Sequence, residues 1–299
     1  MSQDARVGIV VITRDRRQEL LRTLDRLEGL PGPPPTVVVD NASGDGTAEA
    51  VAEHHPWVRL IRAGTNLGAV GRNIGVEALD TPYVAFCDDD TWWEEGSLER
   101  AADLLDDHPG LGSVTARLLV EPGGEEDPLT PELRHSPVPA PDWLPGPALL
   151  GVLAGVTVFR VRAFTQVGGF SGRLWMGGEE ELLALDLAAA GWWMCWDERT
   201  VAHHAASPVR DPSRRRRLGI RNTLWTAWLR RPLDGAWRHT WSVLGSVPKD
   251  GTSALALADA LAGLPWVLRE RAPVPPRVER GLRALEGPRR RSKARRYVG

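Results

Sequence analysis

The chain has 299 residues, of which 42% are apolar and 25% charged, a composition typical of a soluble globular protein with one large domain or one domain and an appendage. No apolar run reaches the roughly 18 residues of a membrane-spanning helix, and no apolar segment follows a basic start, so we expect neither a span nor a secretory signal. The two cysteines, Cys87 and Cys195, lie far apart within apolar runs. This excludes a disulfide framework and a cysteine metal cluster, and it indicates a reducing, cytoplasmic compartment.

Charge is distributed unevenly along the chain, although the net charge is only −2. Residues 205–299 carry 21 basic and 7 acidic residues, whereas residues 1–204 carry 16 basic and 32 acidic ones. Only 2 of the 37 basic residues are lysine. An acidic body joined to a basic C-terminal region predicts that this region either packs on the body or contacts another anionic surface.

The first two hundred residues alternate short apolar runs with helical patterns. The apolar runs predict strands at Val7–Ile12, Thr36–Val39, Val58–Ile61, Tyr83–Cys87, Val114–Val120, Leu149–Phe159 and Trp192–Trp196. The helical patterns predict helices around Leu20–Leu27, Thr47–His54, Ala69–Leu79, Ser97–Asp106, Arg162–Val167 and Glu179–Ala190. This order predicts an α/β fold, with a mostly parallel sheet covered by helices on both faces. In such sheets, ligands bind beyond the carboxyl ends of the strands.

Two parts of the chain depart from this alternation. Residues 121–147 contain eight prolines and predict a long surface loop, either a lid over a site or an irregular excursion. After residue 205 the strand patterns end, and helical patterns follow near 213–230, 233–246 and 252–270. We therefore expect an α/β domain over 1–204, a basic helical appendage over 205–288 and a basic, disordered tail over 289–299.

Three adjacent carboxylates, Asp88, Asp89 and Asp90, directly follow the predicted strand Tyr83–Cys87. They repel one another unless a positive charge lies beside them. A divalent ion that bridges phosphate oxygens supplies such a charge, because Mg²⁺ and Mn²⁺ prefer carboxylate and phosphate oxygens as ligands. A solvated acidic turn before the next helix is the alternative, but the preceding buried strand favours a site.

Two further turns place polar groups at the same predicted edge of the sheet. Asp40 ends a strand, where its carboxylate could accept a hydrogen bond from the imide N–H of a pyrimidine base; an Asx turn with Ser43 explains the same pattern. Asn66 and Arg72 flank a glycine-rich helix entry whose backbone N–H groups, together with the Arg72 guanidinium, suit a diphosphate. Each of these patterns is weak evidence when taken alone.

An acidic helix start and a histidine pair complete the set of polar motifs. Glu179–Glu181 begin a predicted helix directly after Gly177 and Gly178. Acidic residues in a first helical turn either complement the helix dipole or place a carboxylate general base in a site, and both interpretations stay open. His203 and His204 follow the last predicted strand, Trp192–Trp196, where a histidine is either structural or a metal ligand.

Taken together, these motifs resemble the family 2 glycosyltransferases, a group of inverting enzymes with the GT-A fold. The resemblance covers roughly residues 7–204, where the motifs stand in the family's order. They are Asp40-Asn41-Ala42-Ser43 with Gly46-Thr47, Asn66-Leu67-Gly68 with Arg72-Asn73, Phe86 through Thr91, Val167-Gly168-Gly169-Phe170, Gly178-Glu179-Glu180 with Gly191-Trp192, and His203. The resemblance implies a nucleotide-sugar half over about residues 1–120 and an acceptor half over about residues 148–204.

The resemblance also implies a role for each matching position. The nucleotide sugar would contact Thr13, Arg14, Asp40, Asn66, Arg72, Asp88 and Asp89. The metal ion, Mn²⁺ or Mg²⁺, would bind to Asp90, Asp88 and His203. The general base would be Glu180, with Glu179 beside it. The acceptor would contact Trp175, Met176 and Trp93.

The implied reaction moves a sugar from a nucleoside-diphosphate sugar, such as a UDP- or dTDP-sugar, to a hydroxyl of a glycan, a lipid-linked acceptor or a small molecule. Such reactions serve cell-wall or polysaccharide biosynthesis. The sequence departs from the family in three places. Ile12–Asp15 stands where the family often has a Pro-Thr-Tyr-Asn type of turn, and Glu180 replaces the usual aspartate. Leu182 stands where the family often keeps another acid, so the choice of base among Glu179, Glu180 and Glu181 stays open.

Other functions fit part of the pattern. A sugar nucleotidyltransferase needs a glycine-rich basic loop after the first strand, but Thr13–Arg16 contains no glycine. A non-catalytic nucleotide-sugar-binding or scaffold protein is the other alternative, suggested by the glutamate at position 180. The basic C-terminal region predicts either peripheral contact with an anionic membrane or packing on the acidic body. No nucleic-acid motif accompanies its arginines, so nucleic acid is not an expected partner.

Overall fold

The computed structural model describes residues 5–205 and 212–292. The strands are β1 Val7–Thr13, β2 Thr36–Asp40, β3 Arg59–Arg62, β4 Tyr83–Asp88, β5 Thr91–Trp93, β6 Leu111–Val120, β7 Glu125–Glu126, β8 Thr157–Arg160 and β9 Trp193–His204. The helices are α1 Arg17–Glu28, α2 Thr47–His54, α3 Gly71–Glu77, α4 Ser97–Asp107, α5 Thr130–Arg134, α6 Val161–Gln166, α7 Glu179–Ala189, α8 Pro212–Arg230, α9 Leu233–Ser246, α10 Gly251–Ala262, α11 Leu264–Arg269 and α12 Pro276–Arg291. The predicted α/β class is confirmed.

The described strands form one sheet in the order β3-β2-β1-β4-β8-β6-β9-β5, with β7 paired to β6. The first four strands of this order are parallel, as is the β6–β9 pair. Strands β5, β7 and β8 are antiparallel to their neighbours. The sheet is therefore parallel in its first half and mixed in its second. The short strands β5 and β7 were not predicted, because two or three residues carry too weak an alternation.

Strand β1 lies at the centre of the parallel half and is buried on both faces, which explains its continuous apolar sequence. Val10 and Ile12 join the core on one side of the sheet, and Ile9 and Val11 join the core on the other side. The strand order reverses direction between β1 and β4, and such a switch point leaves a crevice at the carboxyl ends of the strands. The polar residues that follow β1 and β4 thus lie at one crevice.

The segment 149–159 differs from the single strand predicted for it. Only β8 is extended, and Ala154–Val156 form a 3-10 turn before it. Gly155 explains the departure: a Cβ at this position would lie 2.7 Å from Asp88 Oδ2, so the chain passes directly against the aspartate cluster.

The helices α8–α11 share a third apolar core with the α/β part of the chain. Leu174 and Leu182 pack there with Ile220, Leu224 and Val243. The predicted helix 252–270 is two helices, because the chain breaks at Gly263, which lies against the Trp225 ring, and continues as α11 with Pro265 in its first turn.

Ion pairs join this helical region to the acidic body. Arg230 pairs with Asp186, and Arg289 Nη1 lies 2.7 Å from Glu181 Oε1. Arg277 donates to the Ala188 carbonyl oxygen at 2.6 Å. Of the two alternatives left open for the basic region, packing on the body is seen for the residues that the structure describes. Within these residues, no helix combines the length and the apolar character needed to cross a bilayer.

The prediction of disorder from residue 289 is wrong for the first residues of that segment. Arg289–Arg291 belong to α12, which the sequence analysis missed. The Arg289–Glu181 pair and the burial of Val278 and Leu282 explain why the helix extends this far. Residues 293–299 lie outside the described part of the chain.

Candidate active site

The crevice beside β1 and β4 gathers the three aspartates and the end of β1. Asp88 ends β4 in register with Ile12, and Asp89 and Asp90 follow it. Thr13 Oγ1 donates to Asp89 Oδ2 at 3.0 Å within the buried floor of the site. The position of the aspartates at the carboxyl end of a parallel strand is the one that the sequence predicts.

Two arginines neutralise the aspartate cluster. Arg72 Nη2 lies 2.5 Å from Asp88 Oδ1. Arg16 Nε lies 2.9 Å from Asp89 Oδ1, and its Nη2 lies 2.7 Å from Asp90 Oδ2. Burial raises the pKa of Asp89 to about 7, an effect that Arg16 opposes and that the two neighbouring aspartates reinforce.

Arg16 is a site residue that sequence reasoning missed. The signal was present, since three adjacent carboxylates require nearby positive charge and Arg16 follows β1, whose end faces them across the crevice. The structure does not bring Arg14 into the same cluster: its side chain is 47% exposed and pairs with Asp15.

The Arg72 side chain is buried and held against aromatic rings. Its guanidinium carbon lies 5.4 Å from the Phe170 ring centroid and 6.0 Å from that of Phe86. Its Nε has no hydrogen-bond partner among the described residues. A buried, rigid guanidinium with an unused N–H is suited to an anionic ligand in the crevice.

The turns after β2 and β3 form the outer wall of the crevice. Asp40 is buried and accepts a hydrogen bond from the Ser43 backbone N–H at 3.2 Å, so it makes the Asx turn that was one of its two predicted interpretations. Asn66 Oδ1 accepts from the Gly68 N–H at 3.0 Å. Asn41 links the two turns by donating to the Gly68 carbonyl oxygen at 3.2 Å. The resemblance includes Asn41 in a motif but implies no role for it.

The acidic helix α7 begins at the opposite side of the same crevice. Gly178 precedes it with φ of 91°, a left-handed conformation that favours glycine. Glu179 is buried, and its Oε2 has no hydrogen-bond partner in the described chain. Glu180 Oε1 accepts a hydrogen bond from the Ala154 N–H at 2.5 Å, beside the Gly155–Asp88 contact. Glu179 and Glu180 therefore both face the aspartate side.

The electrostatics of the two glutamates follow from this position. Burial, together with the neighbouring charge of Glu179, raises the pKa of Glu180 to about 7. Burial also raises the pKa of Glu179, while the Arg72 charge opposes the shift. Glu181 points away and pairs with Arg289, as expected for a neighbour turned by about 100° along the helix.

The loop before α7 lies between the turn after β3 and helix α8. Trp175 has φ of 64°, an uncommon conformation for a bulky residue, and its Nε1 donates to the Asn66 carbonyl oxygen at 3.1 Å. Met176 is 39% exposed. Asn222 of α8 holds this loop by donating to the carbonyl oxygens of Leu174 and Met176, at 2.9 and 3.1 Å. Nothing in the local sequence pattern predicts this role for Asn222.

Trp93 is not at the surface where an acceptor would bind. It is 1% exposed and belongs to the core that α1 and α4 cover. The reason is strand β5, which pairs Trp93 with Ala202 and turns the indole inward. The prediction of an acceptor contact at Trp93 is wrong.

The histidine that faces the aspartates is His204, not His203. His204 Nε2 lies 3.6 Å from Asp90 Oδ1. His203 points to the other side of β9, where its Nδ1 lies 2.8 Å from Glu121 Oε1 and its ring stacks on Trp92. Successive strand residues point to opposite faces, so of the two histidines it is His204, not the predicted His203, that lies beside the aspartates.

Asp90 and His204 offer two neighbouring ligand atoms for a divalent cation, and Asp88 beside them pairs with Arg72. Carboxylate oxygens and an imidazole nitrogen are ligands that Mn²⁺ accepts, and a separation of 3.6 Å suits two ligands that each lie about 2 Å from one ion. A second acidic group, Asp25, Glu28 and His55, has its donor atoms within 4.8 Å of one another. That group lies at the ends of α1 and α2, near the edge of the sheet opposite the crevice, and two of its members are exposed.

The fold and the site define the class of the protein. The family model "Glycosyl transferase family 2" matches residues 8–166, which is more than half of the chain. The chain therefore belongs to family 2 of the glycosyltransferases and is a glycosyltransferase. This confirms the predicted resemblance.

Known proteins agree with this assignment. The chain is 29% identical, over 80% of its length and 89% of the relative's, to an N-acetylglucosaminyl-diphospho-decaprenol L-rhamnosyltransferase of Mycobacterium tuberculosis. It is similar to the mannosyltransferase PcManGT from Pyrobaculum calidifontis, solved with GDP-Man and Mn²⁺, with a TM-score of 0.57, 21% identity, and 96% of this chain and 76% of that one covered. Residues 1–349 of S. aureus TarS give a TM-score of 0.56 at 15% identity, covering 88% and 90% of the two chains. The predicted GT-A fold is thereby confirmed.

Proposed function

We propose that this glycosyltransferase transfers a sugar, with inversion, from a nucleoside-diphosphate sugar to a hydroxyl of a lipid-linked diphosphate sugar. The observation that carries the proposal is the pair Glu179 and Glu180, which face Asp88 and Arg72 across one crevice. A carboxylate base on one side and a cationic, metal-binding wall on the other is the arrangement that a single displacement requires. The rhamnosyltransferase relative makes a dTDP- or UDP-linked deoxyhexose the first donor to test.

The donor would lie along the carboxyl ends of β1, β2 and β4. Thr13, Asp40 and Asn66 line the nucleoside end of the crevice, and Arg72 supports the diphosphate with a buried guanidinium that costs no reorganisation. Asp90, Asp88 and His204 would hold Mn²⁺ or Mg²⁺, which when bound neutralises charge on the leaving diphosphate. Arg16, bound to Asp89 and Asp90, fixes the orientation of both carboxylates.

Glu180 is the proposed general base. Its carboxylate is held by the Ala154 N–H, and its raised pKa makes it a better proton acceptor than an exposed glutamate. It removes the proton from the acceptor hydroxyl as the oxygen attacks the anomeric carbon on the face opposite the leaving group. The charge of the neighbouring Glu179 adds to the effect of burial on the pKa of Glu180.

The acceptor would approach along the loop that contains Trp175 and Met176. This loop contacts the turn after β3 through Trp175 and leads directly into α7. A sugar that lies on it is therefore close to Glu180. We propose residues 1–204 as the catalytic domain, with its acceptor half near 148–204, and the basic helices after residue 205 as an appendage that completes the acceptor side.

The appendage is also proposed to contact an anionic membrane from the cytoplasmic side. Leu233, Trp237 and Trp241 of α9 recur every fourth residue and are 59, 50 and 67% exposed. They form one apolar face, and the region around it has an excess of arginine. A lipid-linked acceptor would be delivered from such a surface.

A donor-hydrolysis screen tests the proposed function. UDP-, dTDP- and GDP-sugars are incubated with the protein and Mn²⁺ or EDTA, and released nucleoside diphosphate is measured. We expect metal-dependent release from at least one UDP- or dTDP-sugar. Release that EDTA leaves unchanged would contradict the metal dependence. No release and no nucleotide-dependent rise in melting temperature would contradict the donor class.

A further inference from the structure

The segment Leu174–Gly178 leads directly into helix α7, which carries the proposed base Glu180. Its backbone is unusual, because Trp175, Gly177 and Gly178 have φ angles of 64, 82 and 91°. Left-handed backbone of this kind persists where the surrounding structure enforces it, above all at a bulky residue such as tryptophan. The position at which α7 begins therefore depends on contacts from outside the segment.

Asn222 of helix α8 supplies contacts of this kind. Its side chain is fully buried, and its Nδ2 lies within hydrogen-bond distance of three carbonyl oxygens of the segment. The distances are 2.9 Å to Leu174, 3.1 Å to Met176 and 2.5 Å to Gly177. Its Oδ1 accepts from Arg221 Nε at 2.9 Å, which fixes the orientation of the amide. One side chain of the helical appendage thus binds most of the segment's carbonyls.

The remaining carbonyl is held from the opposite side. The Trp175 carbonyl oxygen accepts from the Ala69 N–H at 2.8 Å, and a Cβ at Gly68 would collide with that oxygen. All four carbonyls of residues 174–177 therefore have partners, three on α8 and one at the turn after β3. The segment is fixed between the donor side of the crevice and the appendage.

Close packing joins α8 to the first turn of α7. A Cβ at Gly178 would lie 3.2 Å from the Asn222 Cβ, so the two backbones approach closely where α7 begins. Leu182, on the next turn of α7, packs with Ile220 and Leu224 of α8. Because protein interiors are densely packed, a change at position 222 shifts the start of α7 and is not absorbed by a gap.

We propose that Asn222 is a positioning residue for the reaction: it fixes the start of α7 and so sets where the Glu180 carboxylate meets the acceptor hydroxyl. It acts through the backbone of residues 174–177 and does not touch the reacting atoms. The Ala154 N–H holds the Glu180 carboxylate itself, so the two contacts together define its position. This inference rests on the proposed function for the role of Glu180. It gives the appendage a part in catalysis, because Asn222 lies outside the proposed catalytic domain.

The variant N222L tests this role in the full chain, because leucine keeps the branched shape of asparagine and removes the N–H donors. We expect kcat for transfer to fall by about 10–100-fold, since small displacements of a catalytic group are costly, while the donor KM stays within about twofold. The pH midpoint of turnover should move below that of the wild type. A loosened segment admits water to Glu180 and so weakens the effect of burial on the pKa of this carboxyl.

Two control variants separate positioning from a loss of stability. R230Q breaks the pair with Asp186, a contact between α8 and α7 about two turns after the start of α7. It should lower the melting temperature but leave kcat and the pH midpoint close to those of the wild type. T226V changes a buried threonine one turn beyond Asn222, whose hydroxyl has no hydrogen-bond partner in the described part of the chain. It should match the wild type in kinetics and in pH profile.

N222S, which keeps one shorter donor, is measured alongside and should show the same changes to a smaller extent, even where N222L folds poorly. Wild-type kcat in folded N222L or N222S would overturn the proposal. A lower kcat with an unmoved pH midpoint, matched by R230Q, would also overturn it, because Asn222 would then only stabilise the fold. Transfer by the wild type is measured in parallel. Its absence would contradict the proposed function, whereas an active wild type with an equally active N222L contradicts the role of Asn222 alone.

Discussion

His204 Nε2 lies 3.6 Å from Asp90 Oδ1, while the adjacent His203 turns to Glu121 and Trp92 on the other face of β9. The two adjacent histidines of β9 thus have different surroundings. His204 completes the polar set around the aspartates, and His203 belongs to the packing between β9, β5 and the following loop.

The first prediction separates these two histidines. H204A should raise the Mn²⁺ concentration for half-maximal donor hydrolysis about tenfold, because it removes one of the proposed metal ligands. H203A should leave that concentration within twofold of the wild type and lower the melting temperature instead, since the Trp92 stack and the Glu121 contact are lost. A Mn²⁺ titration of each variant checks this, and equal shifts in both would contradict the assignment.

The second prediction concerns Arg16. R16Q should destabilise the protein in EDTA by about 1–3 kcal/mol, because the charge-assisted contacts to Asp89 and Asp90 are lost and the carboxylates repel one another. Mn²⁺ should restore more of the melting temperature in R16Q than in the wild type, since the ion supplies the missing charge. R62Q, which breaks an exposed pair with Glu49, is the control and should change stability by less than about 1 kcal/mol. An R16Q variant as stable as the wild type in EDTA would exclude this role.

The third prediction uses the raised pKa of Glu180. A base with a pKa of about 7 is protonated below that pH, so turnover should rise through pH 7 and level off above it. The same shift lowers stability as the pH rises from about 4.5 to 7, because the folded state holds the proton more tightly than the unfolded chain. E180Q should therefore be more stable than the wild type at pH 8, by an amount on the order of 1–3 kcal/mol.

E181Q is the control for this stability experiment. It breaks the ion pair with Arg289 and relieves no buried charge, so it should not gain stability at pH 8. Denaturant unfolding at pH 5 and pH 8 measures both variants. Equal stability differences at the two pH values would show that the Glu180 carboxyl titrates normally.

The fourth prediction concerns the exposed tryptophans of α9. W237A/W241A should reduce co-sedimentation with phosphatidylglycerol vesicles severalfold, because apolar area that enters the headgroup region is lost. Binding to such vesicles should weaken with salt and be absent for phosphatidylcholine. W143A, which removes a tryptophan that is 43% exposed on the body, is the control and should bind like the wild type. Equal pelleting with neutral vesicles would contradict the anionic-surface proposal.

Much of the fold could be predicted because its signals are local. Val7–Thr13 is apolar at nearly every position because both faces of β1 are buried, and Thr47–His54 is helical within the bounds predicted for it. The aspartates fall where a buried parallel strand ends. Helix α12 was missed, although Val278 and Leu282 have helical spacing, because arginines surround them.

The parts of the site that were not predicted depend on long-range geometry. The β6–β9 pairing is irregular between Asp197 and Val201 of β9. This irregularity changes which face of the sheet each later side chain points to, and so determines which histidine faces Asp90. The burial of Trp93 depends on a strand of three residues that exists only because β9 pairs with it. The approach of Gly155 to Asp88 and the clamp at Asn222 each join residues more than forty positions apart.

The most direct test of the central claim is the rate and anomeric configuration of transfer to a prenyl-diphosphate-linked N-acetylglucosamine. Wild type, E180Q and E181Q are compared with the active donor, and the product is analysed by NMR. We predict that the wild type gives a product with the anomeric configuration opposite to the donor's. E180Q should be slower by about 10²–10⁴ with unchanged donor binding, and E181Q should be close to the wild type. Retained configuration, or full turnover by E180Q, would contradict a single displacement with Glu180 as the base.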